Sequence, residues 1–393
     1  MAMFLATLGV CLIYESYRYP FQINSRATSQ TYSDTPFALQ AGKYFVLGVI
    51  AATLLVGARR PITRVLPDLL LPVSCAWIGA RSLLAVAASG ETASLDVAAP
   101  FVFGGLVAVL LPIRVSGRVA RWAAATTVAI HAAASAAQIV LWLTIGRLPA
   151  LSWSGGLTRF GGLWDDPNSV GVLSALVVVY LVARRSYPWW LIGLAAFNVV
   201  VSVSYSAGAA LVVGLWVVLL SRNRPYAFAL APVIVAAAIA VFVVPFENVP
   251  VAGEWLDVKQ ESALLRLDEA TLLTPGNWLF GGSSPTQSES SIAALIGTAG
   301  LVGLFLVVAW LVVCLRWTPA ATREWLVPVL VGFLFASQLV PYIGVFPIGT
   351  LFPLLLSQAA RQRTRELEAS ELNDGSSRPP AERALPPAEQ LPA

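Results

Sequence analysis

The chain has 393 residues, 57% of them hydrophobic and only 12% charged, with 25 Lys and Arg against 21 Asp and Glu and a net charge of +4. Water-soluble domains carry about twice that charged fraction and interleave polar with apolar positions, whereas here the apolar residues come in uninterrupted runs of helix-spanning length. Composition therefore excludes an ordinary soluble enzyme, and so small a net charge gives no reason to expect a nucleic-acid partner.

A bilayer-spanning helix needs about 20 mostly apolar residues, while a spanning barrel would show weakly alternating segments of about ten. The runs predict an all-α fold: a polytopic transmembrane helix bundle of about twelve spans, centred near residues 8, 49, 78, 105, 134, 176, 196, 214, 236, 302, 332 and 351. The first run is short and ends in Tyr14-Glu-Ser-Tyr-Arg18. It lacks a small-residue cleavage site, so it reads as a retained span. Arg81 lies well inside the third span, where a charge costs roughly 2.5 to 3.5 kcal/mol to insert and so carries a functional expectation. A structural partner, either a carboxylate or helix carbonyls, is the alternative for it. The single histidine, His131, sits among alanines in the fifth span and reads as a helix-packing residue. Cys11, Cys75 and Cys314 fall in or beside apolar runs, at spacings that match no metal or redox motif. No metal or cofactor is expected.

Three connections are too long and polar to be simple turns: residues 15–41, 146–168 and 246–289, the last forming a large outer loop between spans 9 and 10. Within it, residues 254–273 form a candidate amphipathic helix. Leu256, Leu264, Leu267 and Leu272 can face lipid there, while Lys259 and Arg266 share a polar face. Residues 1–360 make up the membrane domain. Residues 361–393, where Arg-Glu alternation gives way to Ser, Pro and Glu, are predicted to be a disordered cytoplasmic tail.

Cationic loops stay in the cytoplasm. If the loops are sorted alternately along the chain, one side holds Arg59, Arg60, Arg64, Arg114, Arg118, Arg121, Arg184, Arg185, Arg222, Arg224, Arg316, Arg323 and the tail, and the other holds only Arg18, Arg26, Lys43, Arg147, Arg159, Lys259 and Arg266. Both termini are therefore expected in the cytoplasm, with the three long loops outside.

The second long loop ends in Arg159-Phe-Gly-Gly-Leu-Trp-Asp-Asp-Pro-Asn-Ser-Val-Gly171, just before the sixth span. Pro167 or Asn168 marks a helix start, with Asp166 or Asn168 as its cap. Arg159, flanked by Gly155-Gly156 and Gly161-Gly162, has the composition of an anion site, and an arginine reaching lipid headgroups is the alternative.

Arg159-Phe-Gly-Gly followed by Asp166-Pro-Asn168 resembles the outer-loop motif Arg-x-x-Gly…Pro-Asn of the O-antigen ligase and polysaccharide polymerase superfamily. A second block, Arg266, then Pro275-Gly-Asn-Trp-Leu-Phe-Gly-Gly282, Glu289-Ser-Ser and Gly300-Leu-Val-Gly303, resembles that family's second loop and the Gly-x-x-Gly span it opens. The resemblance implies a metal-independent glycosyltransferase in the bacterial cytoplasmic membrane. It would polymerise or transfer undecaprenyl-diphosphate-linked glycans at the outer face, with donor, glycan acceptor, membrane lipid and other polysaccharide-assembly proteins as partners. Two positions depart from the pattern: Glu289 stands where ligases carry a histidine, and Ser204-Tyr205 where many members have Ser-Arg. The missing histidine argues against a standard lipid A core ligase and leaves a polymerase, or a divergent transferase, as the better match. Arg159 and Arg266 are then the candidates that stabilise the diphosphate and Glu289 the candidate base, with Asp165 and Asp166 as its competitors. Arg81, Asp165, Asp166, Asn168 and Lys259 are candidate substrate-binding residues. A flippase for the same lipid-linked sugars is the rival from another class.

Overall fold

A computed structural model describes residues 66–89, 93–110, 117–145, 152–154, 157–164, 166–185, 188–243, 278–281, 290–340, 342–344 and 348–376. Of these, 87% are helical, in helices α1 (Leu66–Ser89), α2 (Ala93–Leu110), α3 (Gly117–Ile145), α4 (Pro167–Ala183), α5 (Trp189–Ser202), α6 (Tyr205–Arg222), α7 (Arg224–Val243), α8 (Ser291–Trp317), α9 (Ala320–Ala336) and α10 (Ile348–Ser376). Each contains one of the predicted span centres; the centres near 8 and 49 lie outside the described residues. The stretches Leu66–Ala88, Ala124–Thr144, Tyr205–Arg222 and Ser291–Trp317 are long and apolar enough to cross a membrane, and Pro167–Ala183 and Trp189–Ser202 are apolar but shorter. The described residues do not extend to a count of twelve spans or to the large outer loop.

Local chemistry sets the helix starts. Asp166 caps α4 and Pro167 occupies its first turn, Ser204 caps α6 through Ala207 N–H, and Ser290 caps α8 through Ala293 N–H. Prolines inside α1, α2, α7, α9 and α10 are placed as in membrane helices, where neighbouring helices satisfy the freed carbonyls. Beside one of these prolines the Thr350 hydroxyl of α10 donates to Pro100 O at 3.1 Å, tying α10 to α2.

The helices pack in two groups. α1, α2, α8 and α10 form one; α4, α5, α6 and α9 form the other, with α3 against α5 and α7 against α6. Small residues let the backbones approach: a side chain at Gly332 of α9 would come within 2.7 Å of the Ala210 carbonyl on α6. One core joins the groups. Trp310 of α8 meets Phe101 of α2 edge-on and Phe352 of α10 likewise, and Phe352 stacks at 4.7 Å on Phe333 of α9.

The expected all-α fold is not purely helical: in the loop before α4, β1 (Ser152–Ser154) and β2 (Leu157–Arg159) form an antiparallel hairpin, with Ser154 opposite Leu157. That register leaves Gly155 and Gly156 as the two linking residues, a composition that favours tight hairpins. A disordered tail is expected from residue 361, and its residues 377–393 lie outside the described residues; α10, however, continues to Ser376 and Arg361 is buried rather than solvated. Its guanidinium grips Asp68 of α1, with Nε at 2.9 Å and Nη2 at 2.6 Å from Oδ1. A partner 293 residues away is invisible to a reading based on local composition.

Candidate functional site

The polar residues sort to opposite ends of the bundle. At one end, arginines close helix termini: Arg222 donates to Val182 O and Ala183 O at the end of α4, and Arg361 pairs with Asp68. At the other end lie the hairpin, the start of α4, the α5–α6 junction, the start of α8 and the turn after α9.

This second end is organised around Arg159. Its side chain is buried, so it does not reach out to lipid headgroups. Nε donates to Ser202 O at 2.9 Å and Nη2 donates to Asn168 Oδ1 in a short hydrogen bond. Phe160 N–H donates to Val201 O at 3.0 Å. The strand end therefore caps the C-terminus of α5, where orphaned carbonyls and the helix dipole both favour a cation. Val203 follows in a left-handed conformation (φ 44°). For a β-branched residue this is a strained link, of the kind that persists only where its surroundings fix it.

Asn168 is the branch point. Its Oδ1 also accepts from Ser204 Oγ at 2.9 Å; Ser204 Oγ lies 3.0 Å from Ser206 Oγ, and Ser206 Oγ lies 2.9 Å from Tyr342 OH. Beside Tyr342, Ile343 N–H donates to Ser291 Oγ at 3.4 Å, and Ser291 N–H donates to Ser337 O at 2.7 Å. Ser290 donates to Gln338 Oε1 at 3.0 Å. A polar layer thus runs from Arg159 across α6 to the start of α8, inside an otherwise apolar core.

Asp166 has a different task. Its carboxylate accepts Asn168 N–H, Ser169 N–H and Ser169 Oγ at 2.9, 3.1 and 2.7 Å, so its oxygens are committed to starting α4. On the α3 side, Gln138 clamps Gly162 through both its carbonyl and its N–H, and His131 Nδ1 accepts Leu163 N–H at 3.3 Å while its ring meets Trp164 edge-on at 4.6 Å. Gly162 has φ 62°, and a side chain there would strike His131. The histidine is a packing and loop-holding residue, as its setting suggests.

Arg81 belongs to a second joint. Its Nη2 donates to Gly281 O at 2.7 Å, and Trp77, one turn earlier on α1, donates to Ala299 O at 2.8 Å. α8 is broken at Gly300 (φ 71°), where the 278–281 turn crosses it and Leu279 O accepts Val302 N–H at 3.3 Å. A carboxylate or helix carbonyls are the structural alternative for Arg81; the carbonyl that it meets, Gly281 O, belongs to a turn instead. Glycines at 281 and 300 are required: both have positive φ, and each lies where a side chain would strike the other segment's backbone.

The structure brings Arg159, Asp166 and Asn168 into one layer and Arg81 against the glycine turn of the second motif block. Asp165, Lys259, Arg266 and Glu289 lie outside the described residues, as does the 254–273 amphipathic segment. Among the described residues, no three His, Cys, Asp or Glu side chains cluster as metal ligands would. The residues that sequence reasoning missed are Ser202, Ser206 and Tyr342. For Ser202 and Ser206 the available signal is the alternation Ser202-Val-Ser204-Tyr-Ser206 between two apolar runs; Tyr342 carries none. Set against known proteins, the chain matches no family model and no curated protein.

Proposed function

We propose that the chain is a bacterial membrane glycosyltransferase that polymerises or transfers undecaprenyl-diphosphate-linked oligosaccharide units at the outer face of the cytoplasmic membrane, in surface-polysaccharide assembly. The observation that carries this reading is the polar layer. Ser290 and Ser291, the residues following Glu289, are tied to the turn after α9, and Tyr342 in that turn leads through Ser206, Ser204 and Asn168 to Arg159. The two motif blocks, far apart in sequence, therefore have members at one end of one bundle.

In the proposed step the acceptor hydroxyl oxygen bonds to the donor's anomeric carbon. The bond from that carbon to the diphosphate oxygen breaks, undecaprenyl diphosphate leaves with the electron pair, and the hydroxyl proton passes to the Glu289 carboxylate. Cations stabilise the departing diphosphate. Arg266 and Lys259 would do so from the third long loop, 246–289, and Arg159 through its charge from within the layer, since its donors already hold Ser202 and Asn168. The helix-end orientation follows the arginine bias: the arginine-rich end is cytoplasmic, as are both termini. A ligase that delivers a finished glycan to another acceptor would use the same step.

One observation favours a transporter instead. Broken helices beside an intramembrane charge, as α8 is beside Arg81, are a transporter feature. Single alanine replacements at Arg159, Arg266 and Glu289 separate the readings in a polymer-making strain, with glycan chain length read at matched protein level. The transferase reading expects short chains from all three. Wild-type lengths from Arg266→Ala and Glu289→Ala would overturn it.

A further inference from the structure

We propose that α3, α5 and the strap of residues 160–164, which links Arg159 to α4, enclose a binding site for ordered water. Four polar atoms there have no hydrogen-bond partner among the described residues: His131 Nε2, Ser135 Oγ, Trp164 Nε1 and Asn198 Oδ1. Their residues are 5% exposed or less, so neither bulk water nor lipid reaches them. The His131 and Trp164 rings meet edge-on at 4.6 Å. Ser135 follows His131 by one turn on the same face of α3, about 5 to 6 Å away between Cβ atoms. Asn198 of α5 donates through Nδ2 to Val128 O at 3.1 Å, which brings its Oδ1 within a turn of the histidine. From Val128 to Ser135 the helix rises only about 10 Å.

Hydrogen-bond chemistry sets what each atom offers. His131 Nδ1 accepts Leu163 N–H at 3.3 Å, so the ring carries its proton on Nε2, which can only donate. The Trp164 indole N–H is likewise a donor alone. Asn198 Nδ2 is spent on a carbonyl, and Oδ1 is left as an acceptor. Ser135 can do either. It does not make the bond to the carbonyl four residues back that Ser74, Ser82 and Ser337 make in their own helices. Two donors, an acceptor and a hydroxyl are the partners that water takes, since it accepts from two donors and gives two protons.

Other occupants fit less well. A cation would face two N–H donors, and an anion would face the Asn198 carbonyl. A larger molecule lacks room, because a side chain at Gly162 would come within 2.8 Å of His131 Nδ1 and one at Gly161 within 2.6 Å of Trp164 O. Left dry, four buried polar groups would weigh against the fold. Gln138 and His131 already hold Gly162 and Leu163 from α3, and water completes the seat of the strap that carries Arg159. The site requires neither glycosyl transfer nor a substrate.

The chain has a single histidine, so nitrogen-15 labelling of histidine gives one pair of ring signals without assignment. Proton-detected solid-state NMR of the full chain in hydrated phosphatidylcholine bilayers should show Nδ1 unprotonated, Nε2 protonated, and a cross-peak between the Nε2 proton and water. A protonated Nδ1, or an Nε2 proton with no water cross-peak, would overturn the site. Stability gives a second reading whose sign separates wet from dry. Ser135→Ala deletes a partner of bound water and should lower the thermal midpoint of the purified protein by about 2 to 4 °C, the effect of one lost hydrogen bond. In a dry site the same change removes an unsatisfied hydroxyl, and a midpoint equal to or above that of the wild type would overturn the proposal. The NMR reading uses the unaltered chain, so it decides even if the variant does not fold.

Discussion

Asn168 offers the sharpest perturbation, because two substitutions there separate architecture from charge. Its Oδ1 accepts Arg159 Nη2 and Ser204 Oγ. Asn168→Ala leaves a buried guanidinium donor without its acceptor, while Ser204 keeps Ser206 and its cap on Ala207. One charge-assisted bond plus one neutral bond gives a loss of about 2 to 4 kcal/mol, read as a lowered thermal midpoint of the purified protein. Asn168→Asp keeps the acceptor oxygens and should hold stability within about 1 kcal/mol, but it places a carboxylate on Arg159 and cancels its charge. For a phosphate about 8 Å away, at an effective dielectric constant of about 20, losing that charge is worth roughly 2 kcal/mol. That is about thirtyfold in rate, assayed as glycan extension by the reconstituted protein. Full activity in a stable Asn168→Asp protein would refute the part assigned to Arg159. An unchanged midpoint in Asn168→Ala would refute the network itself.

Other sites give independent checks. Asp68→Ala strands Arg361 in the core and should cost about 3 to 5 kcal/mol, whereas Asp68→Leu with Arg361→Met should recover most of it; thermal midpoints arranged as a double-mutant cycle read both. Gly300→Ala forces a side chain into a left-handed position facing the Leu279 carbonyl, with an expected loss of about 2 kcal/mol or more in the same assay. Cys75 and Cys314 are buried free thiols, so in a Cys11→Ser background a membrane-permeant maleimide should label the native protein slowly and the denatured protein fully. EDTA should leave the glycan-extension rate unchanged, and its loss with recovery on adding a divalent ion would contradict a metal-free step.

Much of the bundle was legible in the sequence because apolar run length is a one-dimensional signal. A helix that must bury its backbone polar groups in lipid announces itself by its length, and the Pro167-Asn168 start of α4 was readable from cap chemistry alone. The identity of the cap, Asp166, emerged only once Asn168 was seen to be engaged by Arg159 and Ser204. The hairpin at 152–159 escaped because three-residue strands carry no periodicity, although Gly155-Gly156 was the available clue. Arg361 was assigned to a solvated tail because its neighbours are charged, and its burial depends on Asp68, a long-range pairing. Tyr342 escapes for the same reason: it is unremarkable locally, and only the packing of α6 against α9 puts its hydroxyl 2.9 Å from that of Ser206.

Reconstitution reads glycosyl transfer itself. The purified full chain is placed in liposomes with an undecaprenyl-diphosphate-linked oligosaccharide, and both glycan length and sidedness are followed. A transferase lengthens the lipid-linked glycan, with one undecaprenyl diphosphate released per unit joined, and loses that activity in Glu289→Ala. Movement of the lipid-linked sugar across the bilayer with no lengthening would contradict transfer.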